Sequence, residues 1–365
     1  MKLAVVSLKF LLILAIVTSC RPPQEATDFN LTQGDLKDGD LIKGDLGDDP
    51  DKDPRYYGEE SFVQNGEAQV SAVDIIWVVD NSGSMKEEQQ NLKDNFNSFI
   101  KNFLLDGKAR YPFKMGVMTT EAYRTNENKD FFQGDNCTSS ITNCEMYDLT
   151  HQAAERDFAK FEADFKAAVG VGINGSGQEK SLYSAHTMYQ RYENWFGGDD
   201  TLSIYILISD EQEQSHYVDK DQSKPLLDEN GEQYTIEKWA SVFQAKKDNA
   251  SKTRFYPIVR FKPIPGQDGD GDVGNRYEKL ASLTGGKRND IDKPFDDILN
   301  GIGTTIINLL DSFLLNGERK IIEQSIVVTV NGVVSKDWVY ADKSIKFNNP
   351  PADAAKIVIR YEYNQ

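Results

Sequence analysis

The chain has 365 residues, enough for one large domain with appendages or for two smaller ones. Its formal charge of -17 and pI near 4.7 argue against nucleic acid as a partner, because holding phosphates needs a basic face. The same acidic surface repels anionic lipid, so any attachment to a membrane must come from something other than surface charge.

The first stretch supplies such an attachment. Lys2 is a short basic region, and Phe10-Leu11-Leu12-Ile13-Leu14-Ala15-Ile16-Val17 is an apolar core too short to span a bilayer, so the segment reads as an export signal. Val17-Thr18-Ser19-Cys20 resembles a bacterial lipobox, which implies cleavage before Cys20 and lipidation of its thiol and new amino terminus. Arg21 after the cysteine, rather than Asp, resembles the pattern sorted to the outer membrane of Gram-negative bacteria. The expected location is the cell envelope, with periplasmic and surface-facing orientations both open. A plain secretory signal or a short membrane anchor is the alternative.

Residues 21–68 show no folding period. Gly34-Asp35-Leu36, Gly39-Asp40-Leu41 and Gly44-Asp45-Leu46 repeat at intervals of five, and more Asp and Pro follow. Alternating Asp and Gly suggest calcium, but the nonapeptide repeat of calcium-bound β-rolls has another spacing. The expectation is an acidic, disordered linker that repels itself and stays extended.

A folded domain is expected over 69–315. Val73-Asp74-Ile75-Ile76-Trp77-Val78-Val79 is a nearly continuous apolar strand, as in a parallel sheet covered by helices on both faces. It ends in Asp80-Asn81-Ser82-Gly83-Ser84-Met85. Asp80 offers an anionic oxygen, and Ser82 and Ser84 offer neutral hydroxyls at alternate positions, so a chain leaving a strand can aim all three at one point. Hard oxygen donors suit Mg²⁺, which takes an octahedron and keeps several waters. With one carboxylate among hydroxyls the ion keeps much of its charge, and a partner's carboxylate can replace one water.

Asp80-x-Ser82-x-Ser84 after a hydrophobic strand resembles the metal-ion-dependent adhesion site of von Willebrand factor type A domains. The resemblance implies an α/β fold with a doubly wound, mostly parallel, Rossmann-like sheet flanked by helices. It also implies Mg²⁺, or Mn²⁺ or Ca²⁺, as the ion and a protein ligand offering a carboxylate. A polar turn in which Ser84 caps the next helix is the structural alternative.

Lys86 to Leu104 is expected as a helix with Leu92, Phe96, Phe99, Ile100 and Phe103 on its core face, followed by a strand from Phe113 to Thr120. Glu121 to Thr150 is polar and holds Cys137 and Cys144, an even pair that can close a small disulfide loop in an oxidising compartment, with two free thiols as the alternative. Phe158, Phe161, Phe165 and Val169 then recur at helical spacing.

Gly170 to Gly177 is rich in glycine but is no phosphate loop, because Gln178 and Glu179 stand between Gly177 and Lys180, so no nucleotide is expected. The family resemblance instead implies a second metal loop in which Ser176 supplies a hydroxyl where threonine is usual. A plain turn into the helix from Leu182 is the alternative. Glu179 can also reach the ion and would lower its residual charge. Leu202 to Ser209 is a further apolar strand, and Asp210 at its end is the residue that, by the same resemblance, completes the site. Glu211 and Glu213 are either added ligands or solvated loop charges.

Helices are expected over Ile236–Asp248, Tyr277–Leu283 and Phe295–Leu310, and a strand over Phe255–Phe261. Asp268-Gly269-Asp270-Gly271-Asp272 departs from a calcium-binding EF-hand loop at Val273 and Lys279 and reads as a surface turn. From 316 to 365 the period shortens to that of strands, with a hairpin at Asn331-Gly332, giving a small β module. The functional expectation is a lipid-anchored, cation-dependent protein-binding domain. A metal-independent scaffold acting through its sheet edge or β module is the alternative. An enzyme is not expected, since only His151, His186 and His216 are available and no Gly-x-Ser-x-Gly elbow occurs.

Overall fold

The computed structural model describes residues 37–40, 54–64, 70–123, 147–175, 177–218, 223–262, 274–352 and 354–364. Cys20, Cys137, Cys144, Ser176 and the Asp268–Asp272 turn lie outside the described residues.

In chain order, strand β1 (Tyr56–Val63) precedes β2 (Ala72–Val79) and helix α1 (Lys86–Ile100). The short pair β3 (Leu104–Leu105) and β4 (Lys108–Ala109) leads to β5 (Phe113–Thr119). Then come α2 (His151–Arg156), α3 (Phe158–Ala168), α4 (Ser181–Arg191) and β6 (Thr201–Ser209). After them follow α5 (Ile236–Gln244), β7 (Thr253–Val259), α6 (Asn275–Thr284), β8 (Asn289–Asp290) and α7 (Phe295–Leu310). The chain closes with β9 (Phe313–Leu314), β10 (Lys320–Val330), β11 (Val333–Ser335), β12 (Trp338–Ala341), β13 (Ser344–Phe347) and β14 (Lys356–Asn364).

The central sheet is parallel throughout, in the order β5-β2-β6-β7-β8. Alternation along each strand feeds two separate cores. Val73, Ile75, Trp77 and Val79 of β2 pack with Phe96 and Phe99 of α1, Phe161 and Phe165 of α3 and Leu299 and Ile302 of α7. Ile76 and Val78 face the other way, into Leu182 of α4, Trp239 and Phe243 of α5 and Tyr277 of α6. Trp77 meets Phe99 and Phe165 edge-on at 5.1 and 5.2 Å, the geometry that the quadrupoles of aromatic rings favour. This is the expected doubly wound α/β sandwich. The winding changes side at β2, since the chain goes one way to β5 and the other way to β6. The crevice beyond the carboxyl ends of β2 and β6 is therefore where such a sheet receives ligands.

Two expectations are corrected. Helix α1 stops at Ile100 rather than running to Leu104, because Asp106 and Gly107, with φ of 49° and 76°, form a tight turn that pairs β3 with β4. The span expected to be linker as far as residue 68 contains β1, which pairs with β14 along its whole length. Local period missed it because the charge of Glu59 is neutralised only across the sheet, where Arg360 of β14 holds it at 2.7 Å. Gly58 is required there, since a Cβ would stand 2.5 Å from the ring of Tyr361.

The β module is thus built from both ends of the chain. One antiparallel sheet has the order β1-β14-β10-β11 and a second has β12-β13-β9, enclosing Leu315, Val328, Ile345, Ile357, Ile359 and Tyr361. Arg254 at the start of β7 fastens it to the α/β domain. Its fully buried guanidinium donates to the carbonyls of Ser251, Gly285 and Asp342 at 2.8, 2.7 and 2.7 Å. Among the described residues, no helix is long and apolar enough to cross a membrane.

Candidate metal centre

The site is built where β2 and β6 end side by side. Asp80 continues the ladder, its amide donating to the Ile208 carbonyl at 2.9 Å. Its side chain then turns back under its own loop. One carboxylate oxygen accepts from the Ser82 amide at 2.7 Å and the other from the Ser209 hydroxyl at 2.8 Å. The hydroxyls of Ser82 and Ser84 lie 3.1 Å apart, and Ser84 donates to Asp210 at 3.1 Å. Asp80, Ser82, Ser84 and Asp210, the last 126 positions from Ser84, are therefore one connected set of oxygens.

The glycine-rich loop closes the third side. Gln89 of α1 donates to the carbonyls of both Asp80 and Gly172, at 3.0 and 2.8 Å, which ties that loop to the strand end. The Gly175 amide donates to the Asn81 carbonyl at 2.7 Å, and a Cβ on Gly175 would lie 2.6 Å from that backbone oxygen, so only glycine allows the approach. This docking delivers Glu179 next to Asp80. Ser176, the expected hydroxyl donor of this loop, falls outside the described residues.

Glu179 is fully buried, with Thr120 and Asp80 beside it, and among the described residues neither carboxylate oxygen makes a well-formed hydrogen bond. Burial, and then the charge of Asp80, raise its pKa far above the ordinary carboxylate range. Burial likewise raises Asp80, against the hydrogen bonds from Ser82 and Ser209 that favour its ionised form. Two carboxylates in one enclosed space cannot both ionise unless a positive charge joins them. The residues thus fit a divalent cation: hard anionic and hydroxyl oxygens converge, and one buried carboxylate lacks a well-formed hydrogen bond among the described residues. Among the described residues no group of three or more His, Cys, Asp or Glu side chains is arranged to hold an ion.

The other acidic candidates separate. Glu211 is exposed, and its charge adds to the upward pull on Glu179. Glu213 turns away from the centre. Its carboxylate accepts from the Leu182 amide at 3.3 Å and the Ser215 amide at 2.8 Å, holding the start of α4, and burial pushes its pKa up to about 7. Three residues gain a role that the sequence did not assign to them. Ser209 fixes Asp80. Gln89 had a signal, as a polar residue three positions before Leu92 on the buried stripe of α1. Arg260, just past β7, places a guanidinium nitrogen 4.0 Å from Asp210 and another 3.7 Å from Asp292, which only the tertiary fold reveals.

A scan of protein-family models finds no match to this chain, and a search of curated proteins finds none either. Among solved structures, the chain is similar to the open conformation of the pilus adhesin SpaC from Lactobacillus rhamnosus GG, at 12% identity and a TM-score of 0.45 over 85% of this chain and 41% of that one. It is similar to a von Willebrand factor type A protein from Catenulispora acidiphila at 15% identity and a TM-score of 0.38, over 84% of this chain and 65% of that one. It is also similar to the pilus adhesin RrgA from Streptococcus pneumoniae at 9% identity and a TM-score of 0.33, over 86% of this chain and 59% of that one. The chain spans less than two thirds of the length of each of these proteins, and all three TM-scores fall below one half, so these likenesses carry no functional inference.

Proposed function

We propose that this chain is a cell-envelope protein that binds protein partners through a divalent cation, Mg²⁺ or else Mn²⁺ or Ca²⁺. Asp80, Ser82, Ser84, Ser176 and Asp210 would hold the ion, with Glu179 as an added ligand and Glu211 at the rim. When bound, the ion supplies an electrophilic site that a carboxylate of the partner can occupy. The chain's own part is to hold the oxygens in place: Ser209 and the Ser82 amide orient Asp80, and Gln89 keeps the glycine-rich loop against it. The observation that carries the reading is the buried carboxylate of Glu179 crowded against Asp80 without a well-formed hydrogen bond among the described residues, at the place where the Asp-x-Ser-x-Ser pentad meets Asp210. A lipid on Cys20 would hold the protein to the membrane, and no catalytic step is assigned to it.

The test is capture of partners by the protein from residue 21 onward, in Mg²⁺ and in EDTA, with Asp80→Ala beside wild type. The expected result is capture that needs both Mg²⁺ and Asp80, with the circular dichroism of the variant unchanged. Capture that survives EDTA and the substitution rejects the cation mechanism. It would then favour a scaffold acting through the β module.

A further inference from the structure

Gly39 and Asp40, from the middle copy of the five-residue repeat, are seated on the β module. The outer edge of β1 faces away from β14 and offers the backbone of Tyr57 and Glu59. The Gly39 amide donates to the Tyr57 carbonyl, and the Tyr57 amide donates to the Asp40 carbonyl, both at 2.8 Å. Asp38 then takes three hydrogen bonds: from the Glu59 amide at 3.0 Å and from the two terminal nitrogens of Arg319 at 2.8 and 2.7 Å. Arg319 is held ready for this. It donates to the Tyr361 hydroxyl at 3.0 Å, and its guanidinium lies 4.5 Å from the Tyr363 ring centre. A forked pair on a pre-placed arginine is the ion pair with most geometric selectivity.

We propose that the outer edge of β1, together with Arg319, is a binding site for an Asp-Gly-Asp peptide, and that the middle repeat of the same chain is its ligand. Recognition is by a turn whose backbone bonds to the outer edge of β1 at Tyr57, which also covers part of a sheet edge that would otherwise invite aggregation. Gly39 has φ of +87°, which a glycine adopts without strain, and Asp40 closes a turn by accepting from the Lys37 amide at 2.6 Å. The sequence of all three copies meets those two needs, with Gly34-Asp35 and Gly44-Asp45 beside Gly39-Asp40. They differ in the residue before the glycine, which is Gln33, Asp38 or Lys43. Only Asp38 answers Arg319, whereas Lys43 would set one cation against another. That single position selects the copy.

The consequence is a shorter tether. If Cys20 carries the lipid, the chain from there to Lys37 can span at most about 60 Å, against about 125 Å were the chain free as far as Tyr56.

Amide-resolved hydrogen exchange on the protein from residue 21 onward tests this. In wild type the Gly39 and Tyr57 amides should exchange slowly. Asp38→Lys should speed both by at least about tenfold, the loss of a charge-assisted pair. The amides of Gly58 and Glu60, which strand alternation turns toward β14, should stay slow and report that the module is folded. The double variant Asp38→Lys with Lys43→Asp should restore protection at Tyr57 and move it from Gly39 to Gly44. Fast exchange of Gly39 in wild type, unchanged protection of Tyr57 in Asp38→Lys, or failure of the double variant to restore it would each overturn the proposal. Protection of Tyr57 that rises with protein concentration would assign the ligand to a second copy and overturn the placement within one chain.

Discussion

The substitution Glu179→Gln separates a cation centre from an ordinary polar turn. The side chain keeps its size, and its amide can donate to Asp80, so removal of the charge relieves the buried carboxylate pair. In chelator the variant should therefore be at least as stable as wild type. An ion that binds only the folded protein adds about 2.7 kcal/mol at one hundred times its dissociation constant. For a domain of this size each kcal/mol moves the melting point by roughly 2–4 °C, so Mg²⁺ should raise wild-type Tm by roughly 5–10 °C over EDTA. Glu179→Gln should lose most of that gain, and Asp80→Asn all of it. Glu213→Gln is the control. It lowers Tm in both buffers, because the Leu182 and Ser215 amides lose a charged acceptor, yet it keeps the Mg²⁺ increment. Differential scanning calorimetry of the four proteins in both buffers gives the answer. An increment that persists in Asp80→Asn refutes the centre, and one that persists only in Glu179→Gln removes Glu179 from it.

Three further outcomes follow from the packing. Although burial opposes it, the hydrogen bonds and charge of Arg319 hold the Asp38 carboxyl below its ordinary value of 3.8. A depressed carboxyl stabilises the seated repeat above that value and stops doing so as pH falls through the lower folded value, so exchange at Gly39 should accelerate only in acid below about pH 4. Gly58→Ala drives a methyl into the Tyr361 ring and should destabilise the β module by about 1–3 kcal/mol, read as a lower urea midpoint. Arg254→Ala strands three carbonyls that the guanidinium now satisfies and should cost about 3 kcal/mol or more, read by the same unfolding measurement.

What the sequence determined by itself was whatever repeats over short range. The apolar runs of β2 and β6, the stripe of α1 and the Phe295–Leu310 helix are each patterned within a few turns or residues, and burial follows that pattern. The Asp80-x-Ser82-x-Ser84 spacing was legible for the same reason, since alternate residues leaving a strand share a side. The tertiary structure alone decided the pairings between distant positions. It drew β1 out of an apparent linker, because Glu59 and Arg360 cancel only when strands from the two ends of the chain lie together. It set Glu179 beside Asp80 and Glu213 against the amides that start α4, although both are acidic loop residues. Charge and hydrogen bonding act through space at a few ångströms, and the order of residues along a chain does not record which groups come that close.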